Sequence, residues 1–237
     1  MNRNIFIVIL LICISGVYLY GMDFQDQNQD LREATAVSDT TLQDWEAKLA
    51  DSAGIPLPAL RMAFNGYHVL MSQGLLKNDS LLTIVDFNSP STAQRFYIFD
   101  LKNQKILKNT LVSHGMKSGE NEADSFSNRR NSNKSSLGIY ITGETYEGKH
   151  GYSLRLDGMT KGINDNARKR AIVIHGADYV NEQFVNEHGR IGRSFGCPAV
   201  PMDEVHEIID LIKEGSCLFI YHPSLIPISP EDLEKLP

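Results

Sequence analysis

The chain has 237 residues, of which 42% are hydrophobic and 22% are charged, and its formal net charge is −6. This length suits one main domain with small additions, and it is long enough to bury a core without disulfide support. The negative balance argues against nucleic acid as a partner, and the short basic clusters at 129–130 and 168–170 are expected in solvated loops.

The first predicted element, residues 1–22, has the layout of a secretory signal peptide or a short membrane anchor. Arg3 precedes an apolar run over residues 5–20, and Asp23 follows it. The run is short for a helix that spans a bilayer, which favours a signal peptide. Residues 19–21, Leu-Tyr-Gly, form a poor cleavage site, which favours a retained anchor. Both alternatives place the rest of the chain outside the cytoplasm.

A linker and a helical pair are predicted next. Residues 23–39 are polar and aperiodic, which is typical of a linker. Within an N-terminal extension over residues 40–76, apolar periodicity predicts helices at 40–53 and 57–73, with Gly54 and Pro56 between them. We expect this pair to pack on the main domain.

The main domain, residues 77–223, is predicted to be mainly β, with one helix near its C-terminal end. Runs rich in β-branched and aromatic residues predict strands at 81–87, 95–101, 105–113, 137–142, 153–156, 171–175 and 216–221. An amphipathic helix is predicted at 202–213, and residues 224–237 form a tail. The long polar stretch 115–136 is predicted to be a mobile rim over a cleft.

The chemistry concentrates around a histidine and a cysteine. An apolar strand ends at His175-Gly176, and a glycine-rich loop then presents Cys197. A thiol nucleophile needs a base within hydrogen-bond reach and backbone N–H groups that face the developing oxyanion. Gly196 permits the sharp turn that this requires, and Pro198 restrains the chain that leaves it. The pattern therefore predicts Cys197 as nucleophile and His175 as base.

Alternatives to a nucleophile and base remain open at this stage. A histidine at a strand end can be a satisfied polar residue, and a cysteine in a tight turn can be inert. A zinc site would combine His175 and Cys197 with one of His114, His150 and His188, but the paired spacings of zinc ligands are absent. Cys217 lies in an apolar strand, so we expect a buried free thiol and no disulfide.

A series of short motifs carries a resemblance to a known family. His175-Gly176 followed by Ser194-x-Gly196-Cys197 resembles the signature of the L,D-transpeptidase (YkuD-like) catalytic fold. The surrounding sequence, over residues 59–221, is similar to that of murein L,D-transpeptidases of Gram-negative bacteria. The segments that carry this similarity are Val112-Ser113-His114-Gly115, Ser118-Gly119, Phe126-Ser127-Asn128, Ser135-Ser136-Leu137-Gly138, His150-Gly151-Tyr152-Ser153-Leu154 and Gly192-Arg193-Ser194.

The resemblance implies a mostly β catalytic domain that acts on peptidoglycan without a metal or cofactor. The family cleaves a stem peptide between its third residue, meso-diaminopimelate, and the terminal D-alanine. A thioester forms on the cysteine, and an amine of another stem or of a lipoprotein resolves it. By resemblance, Cys197 attacks and His175 is the base. The Gly176 carbonyl would orient the histidine, Ser194 would support the loop, and the N–H groups around Gly196 and Cys197 would form the oxyanion hole.

Two departures from the family pattern leave the reaction partly open. Phe195 and Ala199 stand where a histidine and an arginine or asparagine are common. Arg193, Arg190 or His114 could supply the missing polar contact to substrate, and Phe195 could make the site drier.

The expected function is an exported L,D-transpeptidase, periplasmic or anchored at the inner membrane, that binds peptidoglycan stem peptides. The alternatives are an L,D-carboxypeptidase and a non-catalytic wall-binding module. A binding module needs neither Cys197 nor His175, so the intact pair argues against it.

Overall fold

The computed structural model describes residues 47–51 and 53–225. Residues 47–51 are helical, which agrees with the last part of the helix predicted at 40–53. The predicted signal or anchor and the linker lie outside the described residues, as does most of the tail. Within the described ranges, no helix is both long enough and apolar enough to cross a membrane. The predicted division at residues 76 and 223 stays a prediction.

Helix α1, Leu57–Ser72, begins directly after Pro56, whose fixed φ suits the start of a helix. Its buried residues include Leu60 and Leu70. A side chain in place of Gly66 would collide with Ile139, so the helix lies close against the sheet. This confirms the second predicted helix.

A single mixed sheet of eight strands forms the centre of the described fold, in the order β3-β2-β1-β8-β4-β5-β6-β7. The strands are β1 Leu81–Asp86, β2 Phe96–Asp100, β3 Lys105–Thr110, β4 Gly138–Gly148, β5 Gly151–Gly158, β6 Val173–Ala177, β7 Ala199–Pro201 and β8 Cys217–Tyr221. Pairing is antiparallel except for β1 with β8 and β6 with β7. The predicted fold class, mainly β with an N-terminal helical pair and a C-terminal helix, is confirmed, although only residues 47–51 and 53 of the first helix are described.

Two further helices lie in the second half of the chain. Helix α2, Glu182–His188, was not predicted, although Asn181 caps its first turn and Gly189, with φ of 71°, ends it. Helix α3, Val205–Ile212, matches the predicted amphipathic helix and buries its apolar face. It packs against β5 and β6, and so supports the part of the sheet that carries the histidine.

The hairpin formed by β4 and β5 is longer than predicted. Its paired residues run from Tyr140 with Gly158 to Gly148 with Gly151. The outer half is rich in charged and polar residues and is largely exposed, so it lacks the apolar signal of a core strand. The two-residue turn at its tip, Lys149-His150, extends beyond the paired strands.

The polar stretch 115–136 is irregular, as predicted, but it is well connected. It makes an isolated bridge from Gly115 to Ser194 in the cysteine loop. Lys117 N–H donates to the Asn133 carbonyl at 3.0 Å, which closes the stretch on itself. Its position beside the cysteine loop agrees with a rim. Its mobility stays a prediction.

Candidate active site

The sheet brings the histidine and the cysteine to neighbouring strands. His175 lies in β6 and is paired in parallel register with Ala199, the first residue of β7. Cys197 precedes Ala199 by two residues, and its Sγ lies 3.6 Å from the carbonyl of Ala171, two residues before the start of β6. The cysteine loop therefore delivers Cys197 beside the strand that carries His175.

His175 is buried and held in one orientation. Its Nδ1 lies 2.8 Å from the Gly176 carbonyl, which can only accept a hydrogen bond, so Nδ1 carries the hydrogen. The Nε2 atom of the neutral ring then carries the lone pair. Burial lowers the pKa of His175, and the Gly176 carbonyl opposes that shift only in part. The imidazole is therefore neutral and has a fixed tautomer, as the predicted base requires.

The Cys197 thiol is only partly buried, and it is free. It donates to the Ala171 carbonyl at 3.6 Å. Among the described residues, no hydrogen bond joins its Sγ atom to His175. Catalytic hydrogen bonds are often long or unmade before substrate binds, so this geometry is compatible with the resting site of the predicted nucleophile and base.

Electrostatics favour a thiol and a neutral imidazole over an ion pair in this resting state. Burial raises the pKa of Cys197, while the Val173 N–H, the Arg170 guanidinium and the Lys149 ammonium act in the opposite direction. Burial lowers the pKa of His175 at the same time. The protein alone therefore holds Cys197 as the neutral thiol, since burial disfavours the thiolate.

The cysteine loop is held by the Ser194 hydroxyl. Its Oγ donates to the Cys197 carbonyl at 2.6 Å and accepts from the Gly196 N–H at 3.0 Å. The Gly196 carbonyl accepts from the Ser135 hydroxyl at 3.1 Å, which fastens the rim to the loop. Gly196 has φ of 131°, and a Cβ there would lie 2.8 Å from the Lys134 carbonyl. Only glycine fits this turn.

These contacts bear on the expected oxyanion hole. The Gly196 N–H is engaged by Ser194 and is not free to stabilise an oxyanion. Within residues 53–225, the N–H groups of Phe195 and Cys197 donate to no atom, so both are free donors at this turn.

Arg170 lies behind the cysteine loop, contrary to the expectation that its basic cluster is solvated. It donates to the carbonyls of Ser127 and Lys134, each at 2.6 Å. Its Nη2 would lie 3.3 Å from a Cβ at Gly196, so it also touches the turn. Burial lowers the pKa of Arg170, and Cys197 opposes that shift. The guanidinium therefore joins the rim to the loop and supplies positive charge near the thiol.

Comparison with known proteins agrees with this geometry. The sequence profile of the L,D-transpeptidase catalytic domain family matches residues 51–221, which is more than half of the chain. The chain belongs to this family. Among curated proteins, none matches it.

Solved structures that resemble this L,D-transpeptidase domain share little sequence with it. An L,D-transpeptidase from Mycobacterium smegmatis has 13% identity and a TM-score of 0.37, and the match covers 60% of this chain and 59% of that one. One from Stackebrandtia nassauensis has 10% identity and a TM-score of 0.37, covering 62% and 58%. The helical cell shape determining protein Pgp2 (K307A mutant) from Campylobacter jejuni has 14% identity and a TM-score of 0.40, covering 70% and 59%. The chain thus spans about three fifths of the length of these structures.

The tip of the β4–β5 hairpin reaches the L,D-transpeptidase site. The His150 ring stacks on the His175 ring, with centroids 4.4 Å apart and an interplanar angle of 21°. Burial, and then the Lys149 ammonium, lower the pKa of His150; Lys149 also adds a smaller lowering contribution at His175 and opposes the rise that burial causes in the pKa of Cys197. Sequence reasoning did not place this turn at the site. The only available signal was His150 itself, in one of the segments that carry the family resemblance.

His114, a predicted substrate contact, is instead buried inside the transpeptidase domain. Its Nδ1 accepts from Arg95 Nη2 at 2.7 Å, and its Nε2–H donates to the Gly119 carbonyl at 3.3 Å. Burial, and then the charge of Arg95, lower the pKa of His114 to about 4. With both ring nitrogens engaged, His114 is a structural residue and not an open donor for substrate.

Arg193 and Arg190, the other predicted substrate contacts, both bind an acidic residue of the rim. Arg193 Nη1 lies 2.6 Å from one carboxylate oxygen of Glu120, and Arg190 Nε lies 3.1 Å from the other. Neither arginine is free in this structure. Contact with substrate would require Glu120 to move away.

Phe195 lies at the surface of the domain beside the cysteine, with 68% of its surface exposed. Its ring therefore does not point into the core. Met202 is also exposed, and its Sδ would lie 2.8 Å from a Cβ at Gly176, so apolar groups border the site on two sides. The zinc alternative finds no support, since within the described ranges no group of three or more His, Cys, Asp and Glu side chains could hold a metal.

Proposed function

We propose that this protein is an exported peptidoglycan L,D-transpeptidase that forms an acyl-enzyme on Cys197. The observation that carries the proposal is a free thiol in the loop that enters β7, next to the strand that holds a neutral imidazole of fixed tautomer, within a domain of this family. The substrate would be a stem tetrapeptide, joined to Cys197 through its third residue. The amine of a second stem would be the acceptor.

Acylation begins with rotation of the Cys197 side chain away from the Ala171 carbonyl and towards His175. Nε2 takes the thiol proton, and the sulfur attacks the carbonyl carbon of the third residue of the stem. The bond to the terminal D-alanine then breaks, and His175 returns the proton to the leaving amine. A thioester on Cys197 and free D-alanine result.

The negative charge that develops on the substrate oxygen needs donors that are already in place. The Cys197 N–H fills this role, because the Gly196 N–H is held by Ser194. Ser194 therefore acts through the backbone, since its two hydrogen bonds hold the turn that carries the Cys197 N–H.

Deacylation decides between transpeptidation and hydrolysis. An acceptor amine attacks the thioester carbonyl and loses a proton to His175, the C–S bond breaks, and the thiol recovers that proton. Water would give a carboxypeptidase by the same route. The exposed Phe195 ring lowers the amount of water beside the thioester and favours an amine that is held in place.

Export through residues 1–22 is part of the proposal, because its substrate lies outside the cytoplasm. Fusion of these residues to a reporter that is active only in the periplasm tests this part. A reporter that stays cytoplasmic contradicts it.

The catalytic part is tested with purified protein and defined disaccharide tetrapeptides, with products weighed by mass spectrometry. The expected main product is a cross-linked dimer, with tripeptide as a minor one. Cys197→Ser should abolish both, because serine is a far weaker nucleophile beside the same base. The control is Cys217→Ala, which changes a fully buried thiol in β8 and should keep turnover. Tripeptide alone at high acceptor concentration would identify a carboxypeptidase, and stem binding without any product would identify a non-catalytic module.

A further inference from the structure

We propose that His150, at the tip of the β4–β5 hairpin, is a positioning residue that holds the His175 ring in its catalytic orientation. The evidence is the face-to-face contact of the two rings. The inference rests on the proposed function, since it assumes that His175 is the base.

The contact follows from the register of the sheet. In β5, Ser153 is paired with His175 of β6, so the start of β5 runs beside the histidine. His150 lies three residues before Ser153, in the turn that closes the hairpin. Gly151, with φ of 75°, allows the chain to turn sharply just after His150. This turn brings the His150 ring over the His175 ring, at a centroid distance of 4.4 Å.

A second restraint on His175 has a physical purpose. The hydrogen bond to the Gly176 carbonyl fixes Nδ1 and the tautomer, but a single hydrogen bond leaves the ring free to tilt about that contact. A flat ring stacked on its face removes the tilt, and so it fixes the direction in which the Nε2 lone pair points. Direction matters here, because Nε2 makes no hydrogen bond to the thiol in the resting site and must meet it once the thiol rotates.

The charges around the pair are consistent with this role. The Gly176 carbonyl raises the pKa of His175, whereas burial, His150 and Lys149 lower it. The pKa of His150 is lowered as well, by burial and by Lys149. Two neutral rings can stack without the repulsion that two imidazolium ions would have. The facing residue of β5, Ser153, and that of β7, Ala199, carry no charge.

The experiment compares three variants of the protein: His150→Ala, His150→Phe and His206→Ala. His150→Phe keeps a flat ring without ring nitrogens. His206→Ala is the matched control, because His206 is also an exposed histidine stacked on an aromatic ring, that of Tyr152, at 4.9 Å and 13°. Two readouts are used: kcat and KM for dimer formation, and the rate at which iodoacetamide alkylates Cys197, which needs no peptide substrate.

If His150 positions His175, His150→Ala lowers kcat about tenfold to a hundredfold while KM changes by less than about twofold, the size of loss that a small misplacement of a catalytic group causes. Alkylation of Cys197 slows as well. His150→Phe restores most of both rates, and His206→Ala leaves both unchanged. The melting temperature stays close to that of the unchanged protein in all three variants.

Two results overturn the inference. If His150→Ala keeps both the turnover and the alkylation rate, His175 needs no support from His150. If His150→Phe is as slow as His150→Ala, a ring nitrogen is required and stacking is not the reason. Failure of the proposed function looks different: the unchanged protein then makes neither dimer nor tripeptide, while the alkylation rates still report on the ring contact.

Discussion

Replacing Arg170 with methionine should destabilise the domain and slow the reaction of Cys197, because one guanidinium joins the rim to the cysteine loop. Methionine keeps much of the side-chain length and removes the charge and all donors. It leaves the carbonyls of Ser127 and Lys134 without their partner at 2.6 Å, and it also removes bonds to the hydroxyls of Ser136 and Ser132.

The size of the effect follows from those bonds. A hydrogen bond to a charged group contributes about 1.5–3 kcal/mol, so the two short ones account for about 3–6 kcal/mol. Arg170 is only half-buried, and water can satisfy part of what is lost, so we expect a loss of about 3 kcal/mol. For a domain of this size, that corresponds to a fall in melting temperature of about 6–12 °C.

The assay is thermal unfolding of Arg170→Met beside Arg168→Met, a change of the same type two residues away. Arg168 pairs with Glu144 and Asp157 at the surface, where solvent screens ion pairs, so its loss should matter much less. The Arg170 charge also lowers the pKa of Cys197, so alkylation at pH 8 should slow in Arg170→Met alone. Equal falls in melting temperature in the two variants would refute the assignment of Arg170 as the residue that joins the rim to the cysteine loop.

Three further predictions concern other residues near the site. Gly196→Ala should abolish dimer formation, because the added Cβ meets the Lys134 carbonyl. Gly189→Ala is the control and should keep dimer formation, because its Cβ would lie in open space. Dimer formation by Gly196→Ala would contradict the geometry of the turn. Phe195→Ala should leave the melting temperature unchanged and raise the tripeptide-to-dimer ratio. An unchanged ratio would show that the ring does not affect the choice between water and the acceptor amine. The pKa of His114 is lowered to about 4 in the folded protein. As pH falls, the unfolded protein therefore binds a proton at His114 before the folded protein does. About 3 kcal/mol of the unfolding free energy present above pH 6.5 should be lost by pH 4. Urea titrations at several pH values should show that the unfolding free energy of His114→Gln falls less steeply with pH. An equal dependence on pH in both proteins would contradict this.

Most of the sheet could be predicted because its strands are buried on both faces and rich in β-branched and aromatic residues, as in β1, β2 and β8. The outer half of the β4–β5 hairpin escaped prediction because it is exposed and polar, so no apolar pattern marks it. Strand β7 has only three residues and follows a proline, which leaves no pattern to detect.

The reactive residues of the site, Cys197 and His175, could be predicted more readily than the residues that support them. A glycine-rich turn with a cysteine, and a strand that ends in a histidine, are local patterns, so both residues could be named from the sequence. Arg170 and His114 are defined by partners far along the chain, at Lys134 and Arg95. Their residue types suggest surface or substrate contacts, and only tertiary structure shows that one is half-buried and the other fully buried.

The position of β8 has a consequence for how the chain folds. Strand β8 is the last strand within residues 53–225, yet it lies between β1 and β4 and joins the two halves of the sheet. The parallel pairing of Leu82 with Cys217 closes a loop of more than a hundred residues, and such distant contacts slow folding. During synthesis, β1, β2 and β3 emerge as a meander with one unpaired inner edge, and they keep that edge until residue 221 is available. A chain that stops short of β8 would expose two sheet edges at once, so premature termination here should yield aggregates and not a smaller folded domain.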